Sequence, residues 1–259
     1  FDCMSMEPNP FSLCGRTILV TGGSSGIGRA VAIGAARMGA RIAVLGRTPD
    51  RVQETLSLLE GTGHVGHVSD LTKIDGIEGD VQAILDRSGS FGGLVYSAGA
   101  SDVTLLRDID MEKAERQMRL NWLSFMALSQ AICRRGRYAP GLSVVALASI
   151  SALTGQVGLS AYAGTKGALI ASVRSLASEY APRGIRFNCI SPCPVDTPMQ
   201  RETRARLGEE WYRKEVLEKA RLGPLAPEDV ADPVLFLLSD ASRRITGTNM
   251  IVDGGWSLS

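Results

Sequence analysis

The chain has 259 residues, of which 44% are hydrophobic and 21% charged, so it holds enough apolar side chains for one large α/β domain or two small ones. Its formal net charge of +1 suggests neither nucleic acid nor an anionic membrane surface as a partner. No apolar run approaches the ~18 residues of a transmembrane helix.

The first 13 residues contain Pro, Asn and Ser and show no periodic apolar pattern. They are predicted to form an N-terminal arm, followed by a single domain over residues 14–259. The start has neither the basic flank nor the apolar stretch of a secretory signal. Because residue 1 is Phe, we expect part of the arm to come from an expression vector, with Met4 or Met6 as a native start.

The cysteines and histidines argue against a metal site. Five cysteines are an odd number and indicate reduced thiols, which favours a cytoplasmic location. Cys189 and Cys193 lie close together, but no His or further Cys completes a metal-binding set. His64 and His67 are three apart in one predicted strand and should point to opposite faces. We therefore expect no metal ion and no serine hydrolase triad.

From residue 17 onward, short apolar runs alternate with segments of helical character. Seven strands alternating with helices predict an α/β Rossmann fold, a single domain with a seven-stranded, parallel, doubly wound sheet flanked by helices. Crossovers should be right-handed, and ligands should bind beyond the carboxyl ends of the strands. The predicted strands are 17–20, 41–45, 63–68, 94–97, 143–148, 186–190 and 249–252, and the predicted helices are 26–38, 49–60, 74–87, 110–135, 160–181 and 227–239.

A glycine-rich loop, Thr-Gly-Gly-Ser-Ser-Gly-Ile-Gly over residues 21–28, joins the first predicted strand to the first predicted helix. Glycines permit a tight turn and let the backbone approach a pyrophosphate. The helix start adds unpaired N–H groups and the positive end of its dipole. The loop is therefore a candidate phosphate-binding site, although taken alone it could be an ordinary glycine-rich turn.

The pattern Thr-Gly-x-x-x-Gly-x-Gly resembles the cofactor loop of the short-chain dehydrogenase/reductase family. Further motifs at family spacing extend the similarity from about residue 13 to residue 256. The resemblance implies a nicotinamide dinucleotide held at the ends of several strands. The residues that it assigns to cofactor binding are Thr21, Gly22, Ser24, Ser25, Gly26, Ile27 and Gly28 in the loop, Asp70 and Leu71 after the third strand, Ser97, Ala98 and Gly99 after the fourth, Tyr162 and Lys166 in a helix, and Pro192, Val195 and Thr197 after the sixth.

The end of the second predicted strand bears on the choice between NAD and NADP. Folds that prefer NAD place Asp or Glu about 20 residues past the glycines, where it holds the ribose hydroxyls. This chain has Gly46 and then Arg47, and a guanidinium pairs with a 2′-phosphate that a carboxylate would repel. Ser25 and Thr48 could add hydroxyl donors. We predict that NADP(H) is favoured over NAD(H); the alternative is that Arg47 is a solvated surface residue.

Ser149, Tyr162 and Lys166 are the candidate catalytic residues. Tyr162 and Lys166 are four apart in a predicted helix and share one face, and Ser149 follows the fifth strand. Reduction of a carbonyl needs a proton as well as a hydride, and Tyr162 would supply it as general acid. We expect the Lys166 ammonium to lower the pKa of the phenol, and Ser149 to orient the carbonyl oxygen. Ser151 is a rival for Ser149, but it lies two residues too close to Tyr162 for the family pattern.

By the same resemblance, Asn121 holds a water linked to the lysine and completes a catalytic tetrad; the alternative is a solvated helix residue. Two positions depart from the family pattern, because Ser97 replaces an Asn and Cys193 replaces a Gly that passes over the nicotinamide. The side chain of Cys193 puts the backbone angle there in doubt. It is either a catalytic thiol or a packing substitution.

Residues 195–225 are charged and helix-prone and resemble the substrate lid of the family. One sequence supplies no template for this segment, so the identity of the substrate stays open. Apolar side chains that could form the wall of a substrate site are Met199, Leu207, Trp211, Tyr212 and Leu217.

Together the motifs predict an NADP-dependent oxidoreductase that reduces a ketone to a secondary alcohol, or the reverse, on a small-molecule substrate. A 3-oxoacyl thioester reductase is the commonest analogy. The Tyr-x-x-x-Lys spacing argues against the enoyl reductases of the family. The alternative is a non-catalytic dinucleotide-sensing or scaffold protein. Apolar faces on helices 110–135 and 160–181 predict a homo-oligomer, either a tetramer or a dimer.

Overall fold

The structure is a computed structural model that describes residues 9–258. Residues 1–8 of the predicted arm, with the proposed start at Met4 or Met6, lie outside the described residues. The rest of the arm packs onto the domain, since Leu13 is fully buried and Phe11 lies 6.4 Å from Phe236 between ring centroids.

Seven parallel strands form one sheet, as predicted. Their order is β3-β2-β1-β4-β5-β6-β7, so the chain starts in the middle of the sheet, builds one half, returns, and builds the other. The strands are β1 (Thr17–Thr21), β2 (Arg41–Gly46), β3 (Val65–Val68), β4 (Phe91–Tyr96), β5 (Tyr138–Leu147), β6 (Arg186–Pro192) and β7 (Asn249–Val252).

The helices agree with the predicted segments at most positions, with one important exception. The predicted helix 110–135 is divided by a π-helical turn, Arg119–Leu123, and a second such turn, Arg213–Leu217, lies in the predicted lid. The α-helices are α1 (Gly26–Arg37), α2 (Pro49–Ser57), α3 (Ile77–Ser88), α4 (Met111–Met118), α5 (Ser124–Ile132), α6 (Ser160–Tyr180), α7 (Pro198–Leu207), α8 (Glu209–Tyr212) and α9 (Pro227–Leu238).

Each face of the sheet has its own apolar core. Alternate residues of β1 divide between them: Ile18 and Val20 pack with α1 and α9, while Leu19 packs with α3, α5 and α6. Because both faces are covered, the central strands are apolar throughout, and β1 and β4 are buried along their whole length. The prediction of a doubly wound Rossmann fold is confirmed.

The two halves of the sheet diverge between β1 and β4. Connections leave these neighbouring strands in opposite directions, which opens a crevice beyond their carboxyl ends. Thr21 ties the two ends together, since its Oγ1 accepts hydrogen bonds from the backbone N–H groups of Ser97 and Ala98, both at 3.1 Å. This crevice is where the site residues meet.

Over residues 9–258, no helix is long and apolar enough to cross a membrane, and no group of three or more His, Cys, Asp or Glu side chains could hold a metal ion. Cys133, Cys189 and Cys193 are free thiols, but Cys14 is disulfide-bonded. The expectation that all five cysteines are reduced is therefore wrong at Cys14. Neither histidine contributes to the crevice: His67 pairs with Asp80 at 2.8 Å, and His64 accepts from the N–H of Ile42.

Candidate active site

The glycine loop closes tightly over the end of β1. Gly22 has a φ of +62°, and a Cβ there would lie 2.9 Å from the backbone nitrogen of Ala98. At Gly28 a Cβ would lie 2.4 Å from the carbonyl oxygen of Gly22. Both positions require glycine because the backbone passes where a side chain would stand. The loop therefore brings its main chain to the mouth of the crevice.

The start of α1 presents donors to this crevice. Ser25 is the N-cap residue, but its side chain makes no capping bond, and the first turn carries no acidic residue. Gly26 and Ile27 line the cleft directly after it. Free N–H groups at the positive end of a helix dipole suit a phosphate group, so this observation fits a dinucleotide.

The end of β2 leaves little room for a side chain at Gly46, the place of the acidic ribose ligand in NAD-preferring folds. A Cβ at Gly46 would lie 2.8 Å from Val52 Cγ2 and 2.9 Å from the Cβ and Oγ of Ser24. Arg47 follows as an exposed side chain. Hydrogen bonds from the backbone and side chain of Thr72 lower the pKa of Asp70, and the charge of Arg47 contributes to the same shift. Arg47 is therefore an exposed cation whose charge acts on the Asp70 carboxylate.

One large cleft of about 760 Å³ runs from the glycine loop to the lid. Of the predicted cofactor contacts, those in its lining are Gly22, Ser25, Gly26, Ile27, Ser97, Ala98, Gly99, Tyr162, Lys166, Pro192, Val195 and Thr197. The remaining ones lie outside the lining: Thr21 and Gly28 support the loop from behind, and Ser24, Arg47, Thr48, Asp70 and Leu71 lie around the ends of β2 and β3.

Ser149 and Tyr162 meet in this cleft. Ser149 follows β5 and lines the cleft together with Tyr162, which stands in the first turn of α6. The Ser149 side chain acts on the phenol by lowering its pKa. Ser151, the rival, is buried behind Ser149: both its backbone N–H, at 3.2 Å, and its hydroxyl, at 3.0 Å, bond Ser149 Oγ. Ser151 thus supports Ser149 and does not line the cleft.

Lys166 lies one helical turn beyond Tyr162 and is buried. Its Nζ donates to the carbonyl oxygen of Leu147 at 2.6 Å and lies 5.7 Å from the centroid of the Tyr162 ring. Burial lowers the pKa of Lys166 to about 8. Burial also raises the pKa of Tyr162 to about 12, against the lowering effect of Ser149. The expected lowering of the phenol pKa by Lys166 is therefore wrong for this structure, because desolvation dominates.

Asn121 is fully buried in the π-helical turn, not solvated. Its Oδ1 accepts from the N–H of Ala100, and its Nδ2 donates to Ala100 O and to Thr165 Oγ1, each at 2.9 Å. A Cβ at Gly99 would lie 3.3 Å from Asn121 Oδ1 and 3.5 Å from Lys166 Nζ, which places both groups around Gly99. The amide ties the loop after β4 to α6 beside the lysine.

The two departures from the family pattern are accommodated. Positive φ angles among residues 9–258 occur at glycines alone, so Cys193 has ordinary backbone geometry. Its thiol is buried, and burial together with the charge of Asp253 raises its pKa to about 12. A thiol with this pKa is not a ready nucleophile, which favours packing over catalysis. Ser97 lines the cleft and is held through its backbone by Thr21.

The lid supplies only part of the expected wall. Met199, Leu207 and Trp211 line the cleft, whereas Tyr212 and Leu217 do not. The sequence did not identify several other wall residues, because the apolar ones stand in loops or at the C-terminal end and those in the lid are polar. These residues are Val103 and Leu105 after β4, Val157 and Leu159 before α6, Gln200, Glu215 and Lys219 in the lid, and Trp256.

Two polar features stand out in that wall. Nε2 of Gln200 is buried and has no hydrogen-bond partner in the described chain, so it is a donor for a ligand. Lys219 pairs with Glu215 at 2.6 Å and lies 4.7 Å over the ring of Trp256, whose Nε1 donates to Glu215 O. The substrate end is otherwise largely apolar.

A family model described as enoyl-(acyl carrier protein) reductase matches residues 22–257. The chain is 33% identical to a 3-oxoacyl-[acyl-carrier-protein] reductase of Chlamydia pneumoniae, covering 94% of this chain and 98% of that one. A short-chain type dehydrogenase/reductase from Mycobacterium ulcerans has a TM-score of 0.87 and 32% identity, covering 95% and 91%. A candidate NAD(P)-dependent gluconate 5-dehydrogenase from Beutenbergia cavernae, solved with NADP at low occupancy, has a TM-score of 0.85 and 31% identity, covering 97% and 100%.

Proposed function

Because the chain belongs to the short-chain dehydrogenase/reductase family, we propose that it is an NADP-dependent oxidoreductase that interconverts a ketone and a secondary alcohol. The observation that carries the proposal is the convergence of Ser149, Tyr162 and Lys166 in a cleft that the glycine loop also lines. The same cleft is then lined by the proton donor Tyr162, the carbonyl-orienting hydroxyl of Ser149 and the phosphate-binding loop.

In the proposed reduction, the bound dinucleotide supplies the hydride. Ser149 Oγ donates to the carbonyl oxygen and orients it, and Tyr162 gives that oxygen its proton. The raised pKa of about 12 keeps the phenol protonated at neutral pH. As the proton leaves, the Lys166 ammonium stabilises the phenolate that forms, and in oxidation the same steps run in reverse.

We propose that the cofactor is NADP(H), held by the residues predicted from the sequence. The support is the end of β2, where Gly46 has no space for a side chain and Arg47 is exposed. A guanidinium at this place pairs with a 2′-phosphate. The NADP bound in the Beutenbergia cavernae protein is consistent with this choice.

For the substrate, we propose a 3-oxoacyl thioester first. The similarity to the Chlamydia pneumoniae reductase and the largely apolar substrate end support it. Enoyl reduction is the competing activity, raised by the description of the matching family model. The one-turn spacing of Tyr162 and Lys166 argues against it. No observation on the described residues favours the non-catalytic alternative.

The test is a substrate panel followed by the consumption of NADPH. It contains a 3-oxoacyl thioester, an enoyl thioester, a sugar, a steroid ketone and a quinone. We expect turnover of at least one ketone and none of the enoyl thioester. Turnover of the enoyl thioester alone would contradict the assigned chemistry, and tight NADPH binding without any turnover across ketones and alcohols would favour the non-catalytic alternative.

A further inference from the structure

The π-helical turn before α5 has an unusual hydrogen-bond pattern. In an α-helix the carbonyl of Leu120 would accept from the N–H of Ser124, four residues on. Here that N–H donates to Arg119 O, five residues back. The Leu120 carbonyl instead accepts from two hydroxyl groups, Ser124 Oγ at 2.7 Å and the phenol of Tyr96.

Tyr96 is held rigidly for this task. It is the last residue of β4 and is fully buried, and its ring packs edge-on against Phe125 at 5.3 Å. Its hydroxyl oxygen also lies 2.5 Å from Ser124 Oγ, so the two hydroxyl groups and the Leu120 carbonyl form one cluster. Both lone pairs of the Leu120 carbonyl are therefore satisfied by side chains. Without these hydroxyl groups the buried carbonyl would lose hydrogen bonds, which would favour the α-helical bond from the N–H of Ser124.

The turn determines where Asn121 points. Neighbouring residues in a helix are separated by about 100° of rotation. Replacing the five-residue hydrogen bond by a four-residue one would therefore rotate the side chains before the turn relative to those after it. Asn121 would then leave Ala100 and Thr165, which its amide now joins. It would also leave the surroundings of Gly99, which Lys166 Nζ shares.

We propose that Tyr96 is a positioning residue: its phenol, together with the Ser124 hydroxyl, holds the π-helical turn and thereby fixes Asn121 beside Lys166. The effect on turnover rests on the proposed function, while the effect on the turn does not. Tyr96 does not line the cleft, so it acts through Asn121.

The experiment is a mutant cycle with a structural readout. Tyr96→Phe and Ser124→Ala are made singly and together, in the wild-type and in the Asn121→Ala backgrounds. In the double variant we expect kcat to fall by about ten- to a hundredfold, with NADPH affinity unchanged, because a displaced group costs rate and not phosphate binding. In the Asn121→Ala background the same substitutions should cause no further loss of kcat.

The matched control is Ser143→Ala, which removes a buried hydroxyl that donates to Leu237 O at 2.8 Å, in the middle of β5. It should lower stability without lowering kcat. Amide hydrogen exchange of segment 119–124 reports the turn directly and should accelerate in the double variant but not in Ser143→Ala.

Losses of kcat that are equal in both backgrounds, or an Asn121→Ala variant with full turnover, would overturn the catalytic part of the proposal. Unchanged exchange of segment 119–124 in the double variant would overturn its structural part. If the wild type turns over no substrate of the panel, the proposed function fails, and hydrogen exchange still decides whether Tyr96 and Ser124 hold the turn.

Discussion

At the scale of single residues, the phenol of Tyr162 carries the sharpest prediction. Tyr162→Phe keeps the ring and removes the proton that the proposed mechanism transfers, so kcat should fall by at least ~10²–10⁴. The fold and NADPH affinity should survive, because Lys166 and the glycine loop are untouched. The measurement is kcat on an accepted ketone beside the Kd for NADPH.

Ser151→Ala is the control for this substitution. It removes a hydroxyl that bonds Ser149 without facing the cleft, so it should weaken turnover far less. Should Tyr162→Phe retain most of the wild-type turnover while chemistry is rate-limiting, Tyr162 is not the acid.

The pKa of Lys166, lowered to about 8 by burial, predicts the pH dependence. In reduction the ammonium stabilises the forming phenolate, so the rate should be level below pH 8 and fall by about tenfold per pH unit above it. In oxidation the phenolate fraction rises with pH while the ammonium is lost above 8, so the rate should climb to about pH 8 and then level off.

The check is a pair of pH profiles for kcat, with Lys166→Arg as the comparison. Arg stays charged throughout, so the break near pH 8 should vanish wherever that variant folds and turns over. A reduction rate that stays level to pH 10 in the wild type would show that the charge of Lys166 does not assist the step.

Arg47 predicts the cofactor preference. Arg47→Ala should weaken NADPH binding by about 1–3 kcal/mol, the scale of a charge-assisted hydrogen bond, and leave NADH binding nearly unchanged. Arg51→Ala, which removes the same charge from an exposed site on α2, is the control and should affect neither cofactor strongly. Titrations in which Arg47→Ala weakens both cofactors equally would remove the argument for NADP.

At the scale of the elements, the sequence predicts the strands better than the π-helical turn that carries Asn121. Apolar runs locate all seven strands because both faces of the sheet are buried, although β5 begins at Tyr138, five residues before the predicted start. Nothing in the local sequence marks the division of predicted helix 110–135. Its Leu120 carbonyl accepts a hydrogen bond from Tyr96, which is distant in sequence. The raised pKa of Tyr162 also has no local signal in the sequence, because desolvation of the phenol depends on the folded cleft.

The lid makes a contact across the cleft. Arg206 in α7 pairs with Asp102, in the loop after β4, at 2.7 Å. Both side chains are nearly half exposed, so Asp102→Asn should cost less than about 1 kcal/mol of global stability. We expect it to raise KM for the substrate and to accelerate hydrogen exchange in α7, because the pair fastens the lid to the opposite wall.

Asp196→Asn is the matched control for the lid. It removes the same charge from a pair with Arg201 at 2.8 Å that stays on one side of the cleft. If both variants change KM equally, the effect is one of net charge and the pair across the cleft does not fasten the lid.

At the scale of the whole molecule, the topology explains why the candidate catalytic residues Ser149, Tyr162 and Lys166 share one cleft with the glycine loop. Parallel strands deliver their carboxyl ends to one edge, so the residues after β1, β4, β5 and β6 converge although they are far apart in sequence. Bringing these distant segments together costs loop-closure entropy, and burial of two apolar cores offsets that cost and holds the strand ends in register.

The same two cores also bury apolar side chains of the helices from which assembly is predicted. Of the apolar residues on predicted helices 110–135 and 160–181, those buried within the single chain include Phe125, Leu128, Leu169, Ile170 and Val173. What remains on the outside of this helix pair includes Leu123 and Met111, exposed by 37% and 68%. Exposed apolar side chains of this kind favour burial against a second copy.

We therefore expect a dimer or tetramer in light scattering at micromolar concentration, held in part through this helix face. Leu123→Asp should shift the population toward monomer, because a carboxylate buried in an interface without a partner is costly. Leu222→Asp is the control, since Leu222 is 89% exposed in the segment after the lid helices, away from that face. A wild-type monomer would contradict the expected assembly, and equal dissociation by both substitutions would place the interface elsewhere.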